Sequence, residues 1–296
     1  MKRSIIIAVI GIRMVLFFAM APWGQDVERN NLLADDAYWY NVCAKNIAQH
    51  KIFSVSEKAP FVPDAHLTPG YPLFIAIHYF LFGIKPWVVL FSQILLQGLF
   101  VIGIFMLAGR IGLPAPAAAI GSIIFAIDPA AVMMPNALLS ESVFGILILY
   151  SSIFLIKNTE RFRRGNIIIS AILLSIAVYF KPGARFLIPV FISVILILSR
   201  RSGYRAMVTR SLIFLIILLS MLAPWLGRNM ALFLRPGMSY HLSAHLRNHA
   251  LNTLIEARHI SKPEAQKIIE GRLSSRKQEE TGNSSSTGIL NGIKKG

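Results

Sequence analysis

The chain has 296 residues, of which 55% are hydrophobic and only 15% are charged, a composition well off the average for a soluble domain. This excludes a soluble fold for most of the chain. The formal net charge of +16 would suit a nucleic-acid-binding protein, but Lys and Arg collect in short runs between apolar segments, at 157–164 and 200–210. Such runs are typical of cytoplasmic loops in membrane proteins, so we expect no nucleic-acid partner.

Seven apolar segments are candidates for membrane spans. A spanning helix needs about 20 mostly apolar residues, because the hydrocarbon core is about 30 Å thick and each residue rises 1.5 Å. The shorter candidates depend on interfacial flanks or partial burial. We therefore predict an all-α fold, a polytopic membrane helical bundle of about seven spans. In chain order the predicted spans are 4–23, 86–109, 113–129, 138–157, 166–180, 185–199 and 210–227.

The first apolar segment follows Lys2 and Arg3 and runs to about Trp23. It is too long for a signal peptide and lacks a small-residue cleavage site, so we interpret it as a retained span. If the N-terminus is cytoplasmic, the alternation of spans places Arg110 and both basic runs on the cytoplasmic side. We expect a multi-pass protein of the inner (plasma) cell membrane.

The same alternation places the loop 24–85 on the extracytoplasmic face. Because it carries six of the 14 acidic residues, we expect the chemistry on that face. Asp35 and Asp36 stand just before Tyr38, Trp39 and Tyr40. Carboxylates beside aromatic rings are candidates for a general base, since partial desolvation raises their proton affinity. The alternative, compatible with the first, is that they cap a helix over 37–50.

Residues 69–84 are apolar but short, and they begin with Pro69 and Pro72, which suit the first turn of a helix. We predict a re-entrant or interfacial helix here, because the orientation of the other spans fails if this segment crosses the membrane.

Three ionisable residues fall within or at the ends of predicted spans: Arg13, Asp128 and Glu141. Such groups cost about 2.5 to 3.5 kcal/mol on insertion scales, so they usually face a cavity or a partner. We interpret Asp128 as a turn residue before Pro129. A catalytic and a structural role for Glu141 both remain open, and Arg13 is expected to have a buried partner, with either acid as a candidate.

Lys181, Arg185 and Arg228 fall on the outer side, against the general bias of the basic residues. One explanation is binding of a lipid-linked phosphate at the outer leaflet. Ordinary interfacial anchoring is the alternative.

No cofactor is required by the sequence, and dependence on a divalent metal is left open. The single cysteine, Cys43, excludes an intramolecular disulfide. His241, His245 and His249 recur every four residues, but no carboxylate or cysteine completes a metal set, so a solvated helix face is the preferred interpretation.

The polar tail forms a separate region in our prediction, with a membrane domain over 1–228 and a tail over 229–296. Ser261 and Glu264 have the spacing of a capping box, which predicts a helix start. Residues 281–296 are rich in Gly, Ser and Asn and are predicted to be disordered.

Five motifs in this order over residues 1–229 resemble the bacterial polyprenyl-phosphate-sugar-dependent glycosyltransferases of the GT-C superfamily, the group related to protein O-mannosyltransferases and lipid A aminoarabinose transferases. The motifs are Asp35-Asp36 followed by Tyr40 and Ala44, Pro69-Gly-Tyr-Pro-Leu-Phe, Leu139-Ser-Glu141, Lys181-Pro182 and Pro224-Trp225-Leu-Gly-Arg228-Asn229.

The resemblance implies a donor sugar on a polyprenyl phosphate and an acceptor hydroxyl on the extracytoplasmic side. It implies that an Asp of the first outer loop is the base, with Asp36 the first choice and Asp35 the second. Glu141 is a further candidate for catalysis. The candidates for binding the donor phosphate are the cations Lys181, Arg185 and Arg228, and the candidates for binding substrate in the outer loop are Tyr40, His66 and Tyr71.

The sequence departs from the family pattern in two respects. Thr68 stands before Pro69-Gly70 where relatives often carry Arg or Pro, and His66 is the candidate substitute for that cation. Relatives are usually about twice as long, so we expect either a missing C-terminal half or a second membrane subunit. The alternatives to an enzyme are a non-catalytic scaffold that binds lipid phosphate and, third, a small-molecule transporter.

Overall fold

The computed structural model describes residues 2–24, 36–156 and 164–240, and also 250–269 apart from 252, 259 and 262. The chain divides into two compact units, Met1–Ser239 and Tyr240–Gly296. The described part of the first unit is built from helices and the segments that connect them, the longest of these being 51–69 between α2 and α3. The helices are α1 (Lys2–Met20), α2 (Asp36–His50), α3 (Gly70–Phe82), α4 (Pro86–Arg110), α5 (Ala115–Ile127), α6 (Pro129–Met133), α7 (Glu141–Ile156), α8 (Arg164–Phe180), α9 (Ile188–Ser199) and α10 (Tyr204–Phe233).

Every predicted span overlaps one of these helices. Among the described residues, four helical stretches are long and apolar enough to cross a membrane, and α5 with the following Pro129–Asn136, bent by 68°, makes a fifth if the pair is one span. The four are Lys2–Met20, Pro86–Arg110, Pro182–Ser202 and Tyr204–Phe233. The prediction of an all-α membrane helical bundle is confirmed. The number of seven spans stays a prediction, since α7 and α8 have only 16 and 17 residues.

α3 has 13 residues, which corresponds to about 20 Å of helix and is shorter than the hydrocarbon core. Pro72 lies in its first turn, where a missing N–H costs no intrahelical bond. The helix ends at Gly83, whose φ of 77° is a conformation that glycine adopts without strain. These dimensions suit the predicted re-entrant or interfacial helix, which remains a prediction.

α8 connects two hydrophobic clusters. One cluster joins α2, α3 and α4 around Tyr71, Ile75 and Leu90, and it includes Phe180 at the end of α8. The other joins α8, α9 and α10 and includes Leu174. Packing therefore fixes the end of α8, and with it the start of the next loop, against α3.

The second unit contains the predicted capping box. The Ser261 N–H and its hydroxyl both donate to Glu264 Oε2, at 3.0 and 2.8 Å, as expected where a Glu in the first turn reaches back to the cap. Residues 281–296, which we predict to be disordered, lie outside the described residues.

Candidate active site

Asp36 is the first residue of α2, and its side chain is exposed. A carboxylate at this position is stabilised by the positive end of the helix dipole. Tyr40 lies one turn later, is 8% exposed, and packs its ring edge-on against the Tyr71 ring of α3 at a centroid distance of 4.8 Å. The start of α2 therefore has an exposed acid, and one turn later a buried tyrosine that packs on a second one. Asp35, the second choice for the base, lies outside the described residues.

Burial raises the pKa of the Tyr40 phenol to about 12, a hydrogen bond with Ser140 acts in the opposite direction, and the negative charges of Asp36 and Glu141 raise the pKa further. The phenol is therefore protonated at neutral pH and keeps its O–H donor. Both carboxylates therefore act electrostatically on this hydroxyl group.

Glu141 is the first residue of α7, and its Oε1 accepts a hydrogen bond of 2.7 Å from Lys181 Nζ. The two side chains are 31% and 37% exposed, so the pair lies at the edge of the bundle. An ammonium group has three N–H donors, and Glu141 takes one of them. Two residues predicted separately for the site, 40 positions apart, are thus a direct ion pair.

A buried hydrogen-bond network connects Tyr71 with the segment that precedes Glu141. Tyr71 donates from its hydroxyl to Gln93 Oε1 at 2.7 Å. The Gln93 amide donates in turn to the carbonyls of Pro135 and Ala137, at 3.2 and 3.0 Å. Gln93 is fully buried, and by these bonds it fixes the segment that leads into Glu141.

Sequence reasoning missed Gln93. The signal was present, because Gln93 and Gln97 are polar amides within the apolar α4, and polar side chains inside a membrane helix usually bond to a neighbouring segment.

Arg13 is a second buried polar group, within α1. Its side chain is fully buried and donates to the carbonyls of Val9 and Phe125, at 3.0 and 3.1 Å. The guanidinium also lies 4.7 Å from the centroid of the Phe125 ring. The expectation of a buried partner is met by two main-chain oxygens, Val9 of α1 and Phe125 in the last turn of α5, and a cation is favourable at a helix C-terminus.

Among the described residues the hydrogen bonds of Arg13 go to main-chain oxygens and not to either acid, although the charge of Asp128 acts on the guanidinium. Glu141 binds Lys181, and the Asp128 carboxylate accepts from the Ala131 N–H at 2.7 Å as the N-cap of α6. The latter confirms the interpretation of Asp128 as a turn residue.

The two other cations predicted for the donor phosphate lie elsewhere. Arg228 of α10 donates to the Asp64 carbonyl at 3.0 Å, and its guanidinium stacks 4.5 Å from the Trp225 ring. Arg185 is exposed, and its guanidinium lies 5.0 Å from the Phe186 ring. Among the contacts of the described residues, Lys181 bonds directly to Glu141.

His66 belongs to the loop that Arg228 contacts. Its main-chain N–H donates to the Asp64 carboxylate at 2.8 Å, and its imidazole ring lies 6.1 Å from the Trp39 ring. His66 is thus held between Asp64 and α2.

Among the described residues, no group of three or more His, Cys, Asp or Glu side chains is placed to hold a metal ion. His241, His245 and His249 lie outside the described residues.

An apolar cavity of about 700 Å³ opens between α2, α3, α8 and α10. Apart from Lys51, its lining side chains are uncharged, and nearly all of them are aliphatic or aromatic. A smaller apolar recess of about 230 Å³ shares Ile47, Lys51, Leu73 and Ile77 with it, so the two form one groove along α2 and α3. The other lining residues of the large cavity are Ile52, Phe53, Pro69, Gly70, Phe74, Ile176, Tyr179, Phe180, Pro224 and Trp225.

The groove borders two of the candidate cations. Phe180 lines the groove, and Lys181 is the next residue in the chain. Trp225 also lines the groove, and the Arg228 guanidinium stacks on the Trp225 ring. An apolar groove with cations at its edge has the character of a site for an amphiphile with an anionic group.

Comparison with known proteins gives one family. The model of the dolichyl-phosphate-mannose-protein mannosyltransferase family matches residues 65–227, more than half of the 296-residue chain. No curated protein and no solved structure matches the chain significantly. The matched segment contains Tyr71, Glu141 and Lys181, whereas Asp36 and Tyr40 precede it.

Proposed function

The chain belongs to the dolichyl-phosphate-mannose-protein mannosyltransferase family and is a membrane glycosyltransferase of the GT-C type, and from this we propose that it moves a sugar from a polyprenyl-phosphate donor to an acceptor hydroxyl on the extracytoplasmic face of the inner membrane. The hexosyl or pentosyl nature of the sugar belongs to this proposal. So does the topology, with a cytoplasmic N-terminus and the loop 24–85 outside.

One observation carries the proposal: Lys181, which directly follows Phe180 of the apolar groove, forms an ion pair with Glu141. A glycosyl transfer needs a base for the acceptor hydroxyl and a cation for the departing phosphate. Asp36 at the start of α2 and Lys181 directly after α8 offer the two kinds of group.

In the proposed reaction, the Asp36 carboxylate takes the proton of the acceptor hydroxyl as its oxygen attacks the anomeric carbon of the donor sugar. The bond between that carbon and the phosphate oxygen breaks, and the electron pair stays with the lipid phosphate. Lys181 stabilises the charge that develops on the phosphate. Glu141 holds the ammonium group in place, and the protonated Tyr40 is a hydrogen-bond donor between the two acids.

The apolar groove supports a lipid donor. A polyprenyl chain is a long hydrocarbon, and its transfer into an apolar cavity gains roughly 25 cal/mol per Å² of buried surface. With the chain in the groove, its phosphate would lie at the edge, where Lys181 follows Phe180 and Arg228 stacks on Trp225. Arg185 would contribute to the same phosphate only if its exposed side chain turned toward the groove.

We expect Lys181→Met to lose transfer by about 10- to 150-fold, because a charge-assisted hydrogen bond contributes about 1.5–3 kcal/mol. Lys181→Arg should retain part of the activity. The measurement is transfer of radiolabelled sugar from polyprenyl-phosphate sugars, mannose first, by the full chain in native membranes. The control is Lys58→Met, which removes an exposed lysine of the outer loop and should leave transfer unchanged.

A photoreactive polyprenyl-phosphate probe, applied to the same membranes, separates the enzyme from a scaffold. Crosslinking together with transfer supports the proposal. Crosslinking by the wild type without transfer from any donor sugar would favour the non-catalytic scaffold, and equal transfer by Lys181→Met and the wild type would remove Lys181 from the phosphate site.

The proposed topology can be tested with a single new cysteine. Val62 is 58% exposed in the loop after α2, so Val62→Cys should react with a membrane-impermeant maleimide added to intact spheroplasts. The native Cys43 is a silent background, because it is fully buried and burial raises the pKa of its thiol, which leaves little reactive thiolate.

The matched control for topology is Ser202→Cys, an exposed position after α9 on the opposite side in our prediction, which should react only after permeabilisation. Labelling of Val62→Cys only after permeabilisation would place Asp36 on the cytoplasmic side and overturn the proposed orientation.

A further inference from the structure

A second cavity, of about 430 Å³, lies against α2 on the face that points away from Tyr40 and Ile47. The helix supplies residues at intervals of three and four, which share one face at 3.6 residues per turn. The loop that follows α2 forms the other wall. The lining residues are Tyr38, Asn41, Val42, Lys45, Asn46, Gln49, His50, Ser56, Glu57 and Phe61.

α2 thus separates two cavities of opposite character. Ile47 and the end of the helix face the apolar groove, whereas the stripe from Tyr38 to His50 faces a cavity with amide, hydroxyl, carboxylate and ammonium groups. The polar cavity begins two residues after Asp36, which is about 3 Å along the helix axis. Asp36 lies one turn before Tyr40 and therefore on the groove side of α2, so the polar cavity is separated by the helix from the face that carries the candidate base.

Two asparagines of this cavity are more than nine-tenths buried, and the hydrogen bonds that they make within the described part of the chain leave complementary atoms. Asn41, which is 2% exposed, accepts the Tyr79 hydroxyl on its Oδ1 at 2.6 Å, so its remaining groups are the two N–H donors. Asn46, 6% exposed, uses its N–H donors on the carbonyls of Ser54 and Ser56, so its Oδ1 acceptor remains. A hydroxyl group is both donor and acceptor and satisfies either side chain.

The wall of the cavity is partly aromatic. The His50 and Phe61 rings stack at a centroid distance of 4.2 Å with an interplanar angle of 22°. On the other side Tyr38 donates to Glu57 Oε1 at 2.6 Å. Lys45 and Glu57 contribute one charge of each sign, so the lining does not select an anion such as a phosphate.

We propose that this polar cavity binds a neutral saccharide, a carbohydrate part of the acceptor that lies away from the reacting hydroxyl group. A pyranose has many hydroxyl groups for the buried amides and a flat C–H face for the aromatic wall. The inference rests on the proposed glycosyl transfer for the role of the saccharide, but the binding itself does not depend on it.

The test is saturation-transfer-difference NMR on the full chain in lipid nanodiscs. The probes are methyl glycosides of mannose, glucose, N-acetylglucosamine and arabinose, each alone, and an uncharged serine-containing tripeptide. We expect saturation transfer to at least one glycoside from the wild type. Gln49→Trp, which places a bulky side chain in an exposed position of the wall, should abolish that signal.

Two variants keep the result interpretable. Val62→Trp puts the same bulk on the neighbouring exposed surface, outside the cavity, and should bind as the wild type does. Asp36→Asn should bind the glycoside as well, even where transfer is lost, so failure of the proposed transfer reaction and failure of this cavity are separate results. The inference is overturned if no glycoside binds, if Gln49→Trp binds equally well, or if the tripeptide alone binds.

Discussion

Asp36→Asn is expected to lower sugar transfer by about 10²- to 10⁴-fold, the usual contribution of a general base. Asn keeps the size and hydrogen-bonding shape of the side chain but cannot take the proton of an acceptor hydroxyl. Folding should survive, because an exposed charge at a helix N-terminus contributes only about 0.3–1 kcal/mol. The measurement is transfer of radiolabelled sugar in membranes, at equal protein levels.

Asp128→Asn is the matched control for this substitution. Asp128 is also an exposed acid at a helix start, where its carboxylate caps α6, and Asn caps a helix equally well. Transfer by this variant should equal that of the wild type. If Asp36→Asn retains full activity and Asp35→Asn loses it, the base is Asp35. If both variants retain full activity, the proposed general-base mechanism is wrong.

Gly70→Ala should lower both the thermal stability and the activity of the protein. A Cβ atom at Gly70 would lie 2.6 Å from Phe180 Cδ2 and 2.7 Å from the main-chain carbon and oxygen of Tyr179. The main chain of α8 cannot move aside as a flexible side chain would, so α3 and α8 must separate. Overpacking of this kind costs about 1–3 kcal/mol.

The loss of activity follows from the position of Lys181. The Thr68 hydroxyl donates to the Phe180 carbonyl at 3.1 Å, and Lys181 is the next residue, so displacement of α8 at this point moves the ammonium group away from Glu141. A misplacement of about 1 Å can reduce a rate about 10²-fold. Differential scanning fluorimetry in nanodiscs gives the change in melting temperature, and the transfer assay gives the change in rate.

Gly121→Ala is the control for packing. Gly121 lies inside α5, and a Cβ atom there meets no heavy atom within 4 Å. Alanine in a helix interior is favoured over glycine by roughly 0.5–1 kcal/mol, so this variant should be as stable as the wild type or slightly more so. An unchanged melting temperature for Gly70→Ala would mean that α3 and α8 do not pack as closely as described.

Much of the fold was predictable because each feature depends on residues close together in the chain. Runs of apolar residues between basic clusters predict helices in a bilayer, and the helices form where predicted. Asp128 before Pro129 predicts a turn, and Ser261 with Glu264 predicts a cap; both are local hydrogen-bond patterns. The start of α2 at Asp36 is of the same kind, since an acid is favoured in a first helical turn.

The partners of the buried polar groups could not be predicted in this way. The sequence showed that Arg13 needs a partner but offered two acids as equal candidates, and the packing of α1 against α5 gave it main-chain carbonyls instead. Gln93 bonds to segments more than 20 and more than 40 residues away. Each of these contacts depends on which helix faces lie together, a choice among many packings of similar apolar surface.

By itself the sequence determined that the protein is a helical membrane protein with acids collected in one loop, because the cost of placing polar groups in lipid acts on each segment independently. Only the tertiary structure decided that Glu141 pairs with Lys181 and that Arg228 binds the loop after α2 instead. It also decided that α2 has an apolar groove on one face and a polar cavity on another. The physical reason is that a cavity or an ion pair between helices is a property of their relative position, which the periodicity of a single helix does not contain.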